Sequence, residues 1–447
     1  METNLTTGSV GRQVARFCLP YLLSYFLQTL YGMAGLFIIG QYEGVAATTA
    51  VSVGSQVMHM LTVMLVGLAM GSTVTIAQAV GAENRRAASQ CAGNTAALFL
   101  ALSAVLTAGL LALTRPIAAA MSTPEAAMEG TVRYLTICFL GIPFITAYNI
   151  ISAIFRGMGD SRSPLAFVAV ACAANIALDY LFMGALRLGP AGAALGTTLS
   201  QAISVLVSLI AIRKRRLLAL AAADFRPERS TLEKILRIGI PVAVQDGLIQ
   251  VAFITITIIA NRRGLTDAAA VGIVEKIMGF LFLVPSSMLS TVSALGAQNL
   301  GAGKPERAVA TLRCAILISA SICMIFVAAV LLTAERIVGL FTPDTAAAAA
   351  GGQYLRGYVF DCLFGSVQFS FSGYFCARGK SGLSFLHNIL SITLVRIPGA
   401  YFASRFFPRT LLPMGFACSV GSLFSILICV IAYAALRHRD RKQEGYL

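Results

Sequence analysis

Two polar residues inside an apolar stretch have the types and the spacing that ion binding needs. Asn175 and Asp179 lie four positions apart, which places both side chains on one face of an α-helix. A carboxylate beside a neutral oxygen donor can hold a proton or a monovalent cation. A charged side chain at membrane depth costs about 3 kcal/mol or more, so it usually has a function. We therefore predict an ion or proton site here, with a hydrogen-bonded pair that locks two helices as the structural alternative.

Asn149 lies one apolar run earlier and is predicted to complete the same polar cluster, with Tyr148 and Ser152 beside it. Its alternative role is a hydrogen bond between helices, which contributes about 1 kcal/mol in membranes. The sequence has no His, Cys, Asp and Glu set with metal-ligand spacing. The only metal that we expect is therefore a monovalent cation at Asp179.

Asp361 is an isolated acid near the middle of the apolar run 350–376. We predict that it is a second coupling group, which binds a proton or a cation. The structural alternative is an ion pair with Arg356 or Arg396, either of which could balance its charge.

A further group of polar residues inside apolar runs is predicted to line a substrate cavity. Asp246 and Gln250 are one helical turn apart, so their side chains share a face. The alternatives are packed, hydrogen-bonded groups or side chains that reach the membrane surface. The predicted cavity residues are Gln56, Asn94, Asp246, Gln250 and Glu275.

Pro20 interrupts the first apolar run. A proline removes one backbone hydrogen bond from a helix, and in membranes it often marks a kink that permits bending. We predict a hinge at Pro20, with a static kink as the alternative.

The composition indicates a protein that lives in a bilayer. The 447 residues are 57% hydrophobic and 12% charged, with a mean hydropathy of +0.80, whereas a soluble domain carries about twice that share of charge. Apolar runs of about 20 residues, enough to span a bilayer as a helix, recur without the alternation of a β-barrel. The prediction is an all-α polytopic membrane protein with twelve transmembrane helices, at about 14–39, 50–80, 89–113, 130–154, 165–184, 193–212, 235–261, 269–299, 309–333, 350–376, 385–405 and 413–436.

The two halves of the chain repeat with an offset near 220 residues. Six helices per half is an even number, so two pseudo-symmetric six-helix bundles can be related by an axis along the membrane normal. We predict an N-terminal bundle at 1–212, a basic cytoplasmic linker at 213–234 and a C-terminal bundle at 235–447. The matching residues are Gln78 and Gly81 with Gln298 and Gly301, and Phe155 and Gly159 with Phe375 and Gly379.

The net charge of +15 does not indicate a nucleic-acid partner, because the basic residues cluster in short loops between apolar runs. Their distribution predicts a multi-pass protein of the plasma (inner) membrane with both termini in the cytoplasm. No phosphate-binding GxxxxGK[ST] loop occurs, so direct ATP use is not expected. No cofactor is expected either.

Several motifs together resemble one transporter family. They are Pro20, the Gln78/Gly81 and Gln298/Gly301 helix ends, Tyr148-Asn149, the stretch 155–160 and Asn175 with Asp179. Over essentially its whole length, the chain resembles the multidrug and toxic compound extrusion (MATE) transporters. The resemblance implies a secondary antiporter, not an enzyme, that exports amphipathic and mainly cationic organic compounds in exchange for H+ or Na+. It implies small molecules and membrane lipids as partners, with no obligatory protein partner.

One stretch departs from that family. Many MATE proteins read Tyr-Asn-x-x-Asp late in the first span, whereas this chain has Gly at both the Asn and the Asp position, as Gly32 and Gly35 after Tyr31. If that acid carries the coupling ion in relatives, the coupling here falls on Asp179, Asp361 or both.

Three other classes of function remain open at this point. A flippase for lipid-linked precursors could share the two-bundle architecture, but it favours a cationic cavity for phosphate, and the charges within these spans lean acidic. A membrane-embedded enzyme needs a clustered catalytic set, which the sequence lacks. A receptor or structural protein does not explain buried acids in both halves of an internal repeat.

Overall fold

The fold follows from long apolar helices. A computed structural model describes residues 5–215 and 221–444, and this part of the chain contains no β-strand. Two π-helical segments, Tyr180–Ala185 and Ile392–Arg396, and one 3-10 turn, Ala222–Phe225, accompany the α-helices. The α-helices are α1 (Val10–Tyr42), α2 (Val45–Gly81), α3 (Arg85–Ala112), α4 (Thr114–Ala120), α5 (Glu125–Leu140), α6 (Ile142–Gly157), α7 (Arg162–Asp179), α8 (Gly189–Arg215), α9 (Arg229–Asn261), α10 (Leu265–Leu281), α11 (Leu283–Gly301), α12 (Pro305–Gly339), α13 (Thr345–Ala377), α14 (Ser381–Ser391), α15 (Ile397–Phe406) and α16 (Leu412–Glu444).

The all-α polytopic class is confirmed, and most of the predicted spans coincide with suitable helices. Within the described residues, ten helical stretches are long and apolar enough to cross a membrane. The pair α5 and α6, bent by 48°, makes an eleventh if it counts as one span. The remaining predicted span, 350–376, falls in α13, which has 33 residues. Its length suffices, but Arg356, Asp361 and many small residues make it less apolar than the others.

A proline explains the break between α10 and α11. Pro285 has no backbone N–H, so the carbonyl of Leu281, four residues earlier, lacks its helical donor. The thiol of Cys362 on α13 donates to that carbonyl at 3.3 Å. A buried carbonyl without a partner is costly, so this thiol stabilises the broken span.

The chain divides into two compact units. The first consists mainly of Leu19–Ala243, and the second of Thr7–Cys18, Val244–Leu300 and Lys304–Leu447. The predicted bundle limits at 212 and 235 stay predictions. Of the predicted linker, residues 216–220 lie outside the described residues.

One hydrogen bond between helices occurs at equivalent positions in the two units. In the first unit, the hydroxyl of Thr73 donates to the carbonyl of Ala153 at 3.3 Å. In the second, the hydroxyl of Ser293 donates to the carbonyl of Gly373 at 3.4 Å, with both positions shifted by 220 residues. The internal repeat therefore extends from the sequence motifs to individual hydrogen bonds inside each unit.

Small residues bring α13 and α16 into backbone contact in the second unit. A Cβ atom added to Gly357 on α13 would lie 2.6 Å from the carbonyl oxygen of Leu412 on α16. The hydroxyl of Ser419 donates to the carbonyl of Gly357 at 2.7 Å. This close approach sets the polar side chains of α13, among them Asp361, against those of α16.

Candidate ion and substrate sites

The predicted pair on α7 forms as the spacing indicates. Asn175 and Asp179 are each 1% exposed, and the Nδ2 atom of Asn175 donates to the Oδ1 atom of Asp179 at 3.4 Å. The π-helical segment Tyr180–Ala185 begins directly after Asp179. Such wide turns are rare and often occur at functional sites, because they reorient the side chains around them.

Two glycines pack against the Asp179 carboxylate. A Cβ atom added to Gly35 on α1 would lie 3.3 Å from the Oδ2 atom, and one added to Gly196 on α8 would collide with the Oδ1 atom. Within the described part of the chain, no ion pair includes Asp179. The first unit therefore holds a buried carboxylate whose nearest polar partner is a neutral amide.

The predicted third member of this cluster has a different hydrogen bond. Asn149 is 8% exposed, and its Nδ2 atom donates to the carbonyl of Ile145 on its own helix at 2.8 Å. No hydrogen bond joins it to Asn175 or Asp179 among the described residues. Its predicted coupling role therefore rests on its place in α6 and not on contact with the carboxylate.

The first unit also contains buried polar atoms that lack a hydrogen-bond partner within the described residues. They include the Tyr148 hydroxyl, the Ser152 hydroxyl and the Gln201 Oε1 atom. The hydroxyl of Tyr31 on α1 lies near both Gln201 and Tyr148. Gln201 is not among the predicted site residues, because a glutamine in the apolar helix α8 is informative only once its neighbours on α1 and α6 are known.

Asp361 in the second unit forms the ion pair that was its structural alternative. It is 0% exposed, and its Oδ1 atom accepts a hydrogen bond from Arg396 at 2.6 Å. Arg396, in the π-helical segment Ile392–Arg396, also donates to the hydroxyl of Ser422 at 2.6 Å. Because a guanidinium balances its charge, the contacts of Asp361 do not favour the predicted role as an independent coupling group.

The five predicted cavity residues are divided between the two units. Gln56 and Asn94 belong to the first unit, whereas Asp246, Gln250 and Glu275 belong to the second. Gln56 is exposed on α2, and Asp246 and Gln250 are partly exposed on α9. Glu275 accepts a hydrogen bond from the hydroxyl of Tyr354 at 3.4 Å.

Asn94 has contacts that do not favour its predicted role in a cavity. Its Nδ2 atom donates to the carbonyls of Asp224 and Arg226 at 3.0 and 3.2 Å, and its Oδ1 atom accepts from the backbone N–H of Glu228 at 2.7 Å. The side chain is 0% exposed. Asn94 therefore fastens the segment 224–228 to α3, which leaves no polar atom for a substrate.

Pro20 lies within α1, which remains one helix from Val10 to Tyr42. The carbonyl of Pro20 accepts a hydrogen bond from the hydroxyl of Ser24 at 2.7 Å. A hinge at this position stays a prediction. Among the described residues, no group of three or more His, Cys, Asp or Glu side chains is placed to hold a metal ion.

A sequence model of the family MatE matches residues 20–181 and 241–402, which together make up most of the chain and fall in both halves of the repeat. The chain belongs to the MatE family. The resemblance seen in its motifs is thereby confirmed.

Relatives of this MatE protein align along nearly the whole chain. The probable multidrug resistance protein YpnP of Bacillus subtilis is 27% identical over 439 residues, 98% of each chain. The multidrug export protein MepA of Staphylococcus haemolyticus is 24% identical over 96% of this chain and 93% of its own.

A solved structure has the same fold. It is described as the outward-facing conformation of a multidrug resistance MATE family transporter of the MOP superfamily. It has a TM-score of 0.90 at 22% identity and covers 98% of this chain and 99% of its own. The protein is thus a multi-pass membrane protein of a multidrug efflux transporter family, and the transporters of that family are ion-coupled.

Proposed function

We propose that this protein is a secondary antiporter of the plasma (inner) membrane, with both termini in the cytoplasm. It exports amphipathic, mainly cationic organic compounds in exchange for H+ or Na+. The observation that carries the proposal is the buried Asp179 carboxylate, which has the Asn175 amide beside it and belongs to no ion pair among the described residues. A buried charge without a counter-ion is costly, so binding a proton or a cation there releases considerable free energy.

That free energy can drive alternating access. A ligand shifts a two-state equilibrium only by its differential affinity for the two states. A proton or Na+ at Asp179 removes the uncompensated charge, and therefore favours whichever state buries the carboxylate more deeply. The Asn175 amide oxygen and the Asp179 carboxylate, which faces the bare backbone of Gly35, are the proposed ligands of such an ion.

The neutral polar atoms of the first unit are the proposed contacts for substrate in that unit. The Tyr148 and Ser152 hydroxyls and the Gln201 amide oxygen are buried and have hydrogen-bonding capacity left over. A substrate with donor groups and an apolar body could satisfy them while its rings pack on Tyr31. In the second unit, Asp246 and Gln250 are the proposed contacts for a cationic group.

The flippase alternative has less support from the charges. Binding a lipid-linked phosphate calls for an unbalanced cation in the protein, and the buried Arg396 is paired with Asp361. No specific contact among the described residues favours phosphate over a cation in these clusters.

The test is transport by the purified protein in proteoliposomes with an imposed proton or sodium gradient. We expect Asp179→Asn to lower gradient-driven transport at least about fivefold, the lower end of typical coupling energies. Asp344→Asn is the matched control, because Asp344 caps α13 at a distant site and asparagine caps a helix equally well. Equal transport by Asp179→Asn and wild type in both gradients would remove Asp179 from the mechanism.

A further inference from the structure

The second unit contains a charged cluster that is richer than the one around Asp179. Glu275 on α10 faces Tyr354 and Tyr358 on α13, and its charge interacts with those of Asp361 and Arg396. The cluster therefore holds two acids and one guanidinium. Arg396 forms an ion pair with Asp361, so Glu275 is the acid of this cluster that has no ion pair with the guanidinium.

The internal repeat shows that the fold does not need this acid. The first unit makes the equivalent contact between α2 and α5 with neutral groups. The Ser55 hydroxyl lies 3.1 Å from the Tyr134 hydroxyl. These residues stand 220 positions before Glu275 and Tyr354, whose contact is 3.4 Å long. The equivalent contact forms without a carboxylate in the first unit, so the charge of Glu275 is a difference between the two units that the contact itself does not explain.

Unsatisfied atoms surround the cluster. The Tyr358 hydroxyl, the Asp361 Oδ2 atom and the Gln368 Oε1 atom are buried and have no hydrogen-bond partner among the described residues. A protonated Glu275 carboxyl has one O–H to donate, and an ionised one has none. The Tyr358 hydroxyl, which faces Glu275, can therefore accept a hydrogen bond from a protonated Glu275 carboxyl.

The two acids differ in access. Asp361 is 0% exposed, whereas Glu275 is partly exposed on α10. The groups that face Glu275 are the two tyrosines, Asp361 and Arg396, with Cys418 of α16 next to Tyr354. The helix α12 also packs on α10, and its acid Glu335 is paired with Arg356.

We propose that Glu275 is the exchangeable acid of the second unit, which takes up and releases one proton while Asp361 stays ionised against Arg396. In the step itself, a hydronium ion transfers its proton to the Glu275 carboxylate and leaves as water. The protonated Glu275 is a neutral carboxyl group beside the tyrosines. After it releases the proton, it is a carboxylate that can attract a cationic substrate. This inference rests on the antiport proposed above.

A carbodiimide distinguishes the two acids without any transport. Dicyclohexylcarbodiimide adds to a protonated carboxyl: the acid proton moves to a carbodiimide nitrogen, the carboxyl oxygen bonds to the central carbon, and the acyl group shifts to nitrogen without a leaving group. We expect peptide mass mapping of the labelled wild type to find the adduct on Glu275 at acidic pH, less of it at alkaline pH, and none on Asp361. An adduct on Asp361, or none on Glu275 at either pH, overturns the proposal.

A charge-removal variant sharpens this test. In Asp361→Asn, Arg396 loses its partner and Glu275 becomes the remaining acid near the guanidinium, so we expect the label on Glu275 to fall. Unchanged labelling in that variant, with its melting temperature near that of wild type, means that the label reports exposure alone and contradicts the proposal. Because labelling needs no gradient, its outcome is independent of whether the protein is an antiporter.

Transport gives the second readout. We expect Glu275→Gln to flatten the dependence of transport on pH and Glu275→Asp to retain it. Ser55→Ala, at the equivalent position of the first unit, is expected to keep the wild-type pH profile. A wild-type profile in Glu275→Gln would count against an exchangeable proton on this residue.

Discussion

At the scale of single residues, Asp179 and Asp361 differ in their partners and not in their burial. Asp179 sits beside an amide and two glycines, whereas Asp361 is bonded to Arg396. Both are almost fully buried, yet only the first lacks a counter-ion among the described residues. A buried ion pair keeps both partners charged, since breaking it leaves an uncompensated charge in a poorly solvated site.

Gly35 gives a direct prediction at this scale. Its added Cβ atom would lie 3.3 Å from the Asp179 Oδ2 atom, so Gly35→Asp places a second carboxylate against the first. Two like charges at this distance disfavour double ionisation. We expect the curve of transport against pH to change in shape or midpoint, measured in proteoliposomes.

The control for that experiment is Gly35→Asn, which adds similar bulk without charge. An unchanged pH curve in Gly35→Asp, or the same change in both variants, would show that a charge next to Asp179 does not affect coupling.

At the scale of helices, one arginine joins two loops of the second unit. Arg263, after α9, pairs with Asp267 at 2.6 Å and donates to the carbonyls of Ser404, Phe407, Pro408 and Thr410 at the end of α15. The guanidinium suits this task because its donors are held in a rigid plane. The contact fixes the entry of α16, the helix that carries Ser422 against Arg396.

We expect Arg263→Ala to destabilise the protein by about 2–4 kcal/mol, since several charge-assisted hydrogen bonds disappear together. The measurement is thermal unfolding in detergent. Arg262→Ala removes the exposed neighbouring arginine and should unfold close to the wild-type temperature. Equal melting temperatures for the two variants would mean that the loop contact is not stabilising.

The sequence predicted the helices and their repeat well, and individual side-chain partners less well. Long apolar runs and the paired Gln78 and Gln298 motifs identify the architecture because they depend only on local composition and spacing. The partner of Asp361 stayed undecided between Arg356 and Arg396, since the choice depends on how α13 and the π-helical segment 392–396 are rotated. The hydrogen bonds of Asn94 could not be predicted either, because they join positions at least 130 residues apart in the sequence.

At the scale of the whole molecule, two units share helix contacts and differ in their charges. In the first unit, the buried Asp179 belongs to no ion pair among the described residues, and in the second, one cluster holds Glu275, Asp361 and Arg396. Membership of the MatE family, with relatives that are named as multidrug resistance and export proteins, agrees with an exporter. The repeated hydrogen bonds show that the two units share helix contacts, whereas their buried charged side chains differ. The proposed ion chemistry therefore differs between the units.

The most direct measurement follows ion movement while substrate moves. Proteoliposomes are loaded with a fluorescent organic cation and a pH- or sodium-sensitive dye, with no ion gradient imposed, and the substrate is allowed to run down its own gradient. We expect ions of one kind, H+ or Na+, to move opposite to the substrate in wild type and not in Asp179→Asn. Substrate movement without counter-movement of either ion in wild type would contradict antiport.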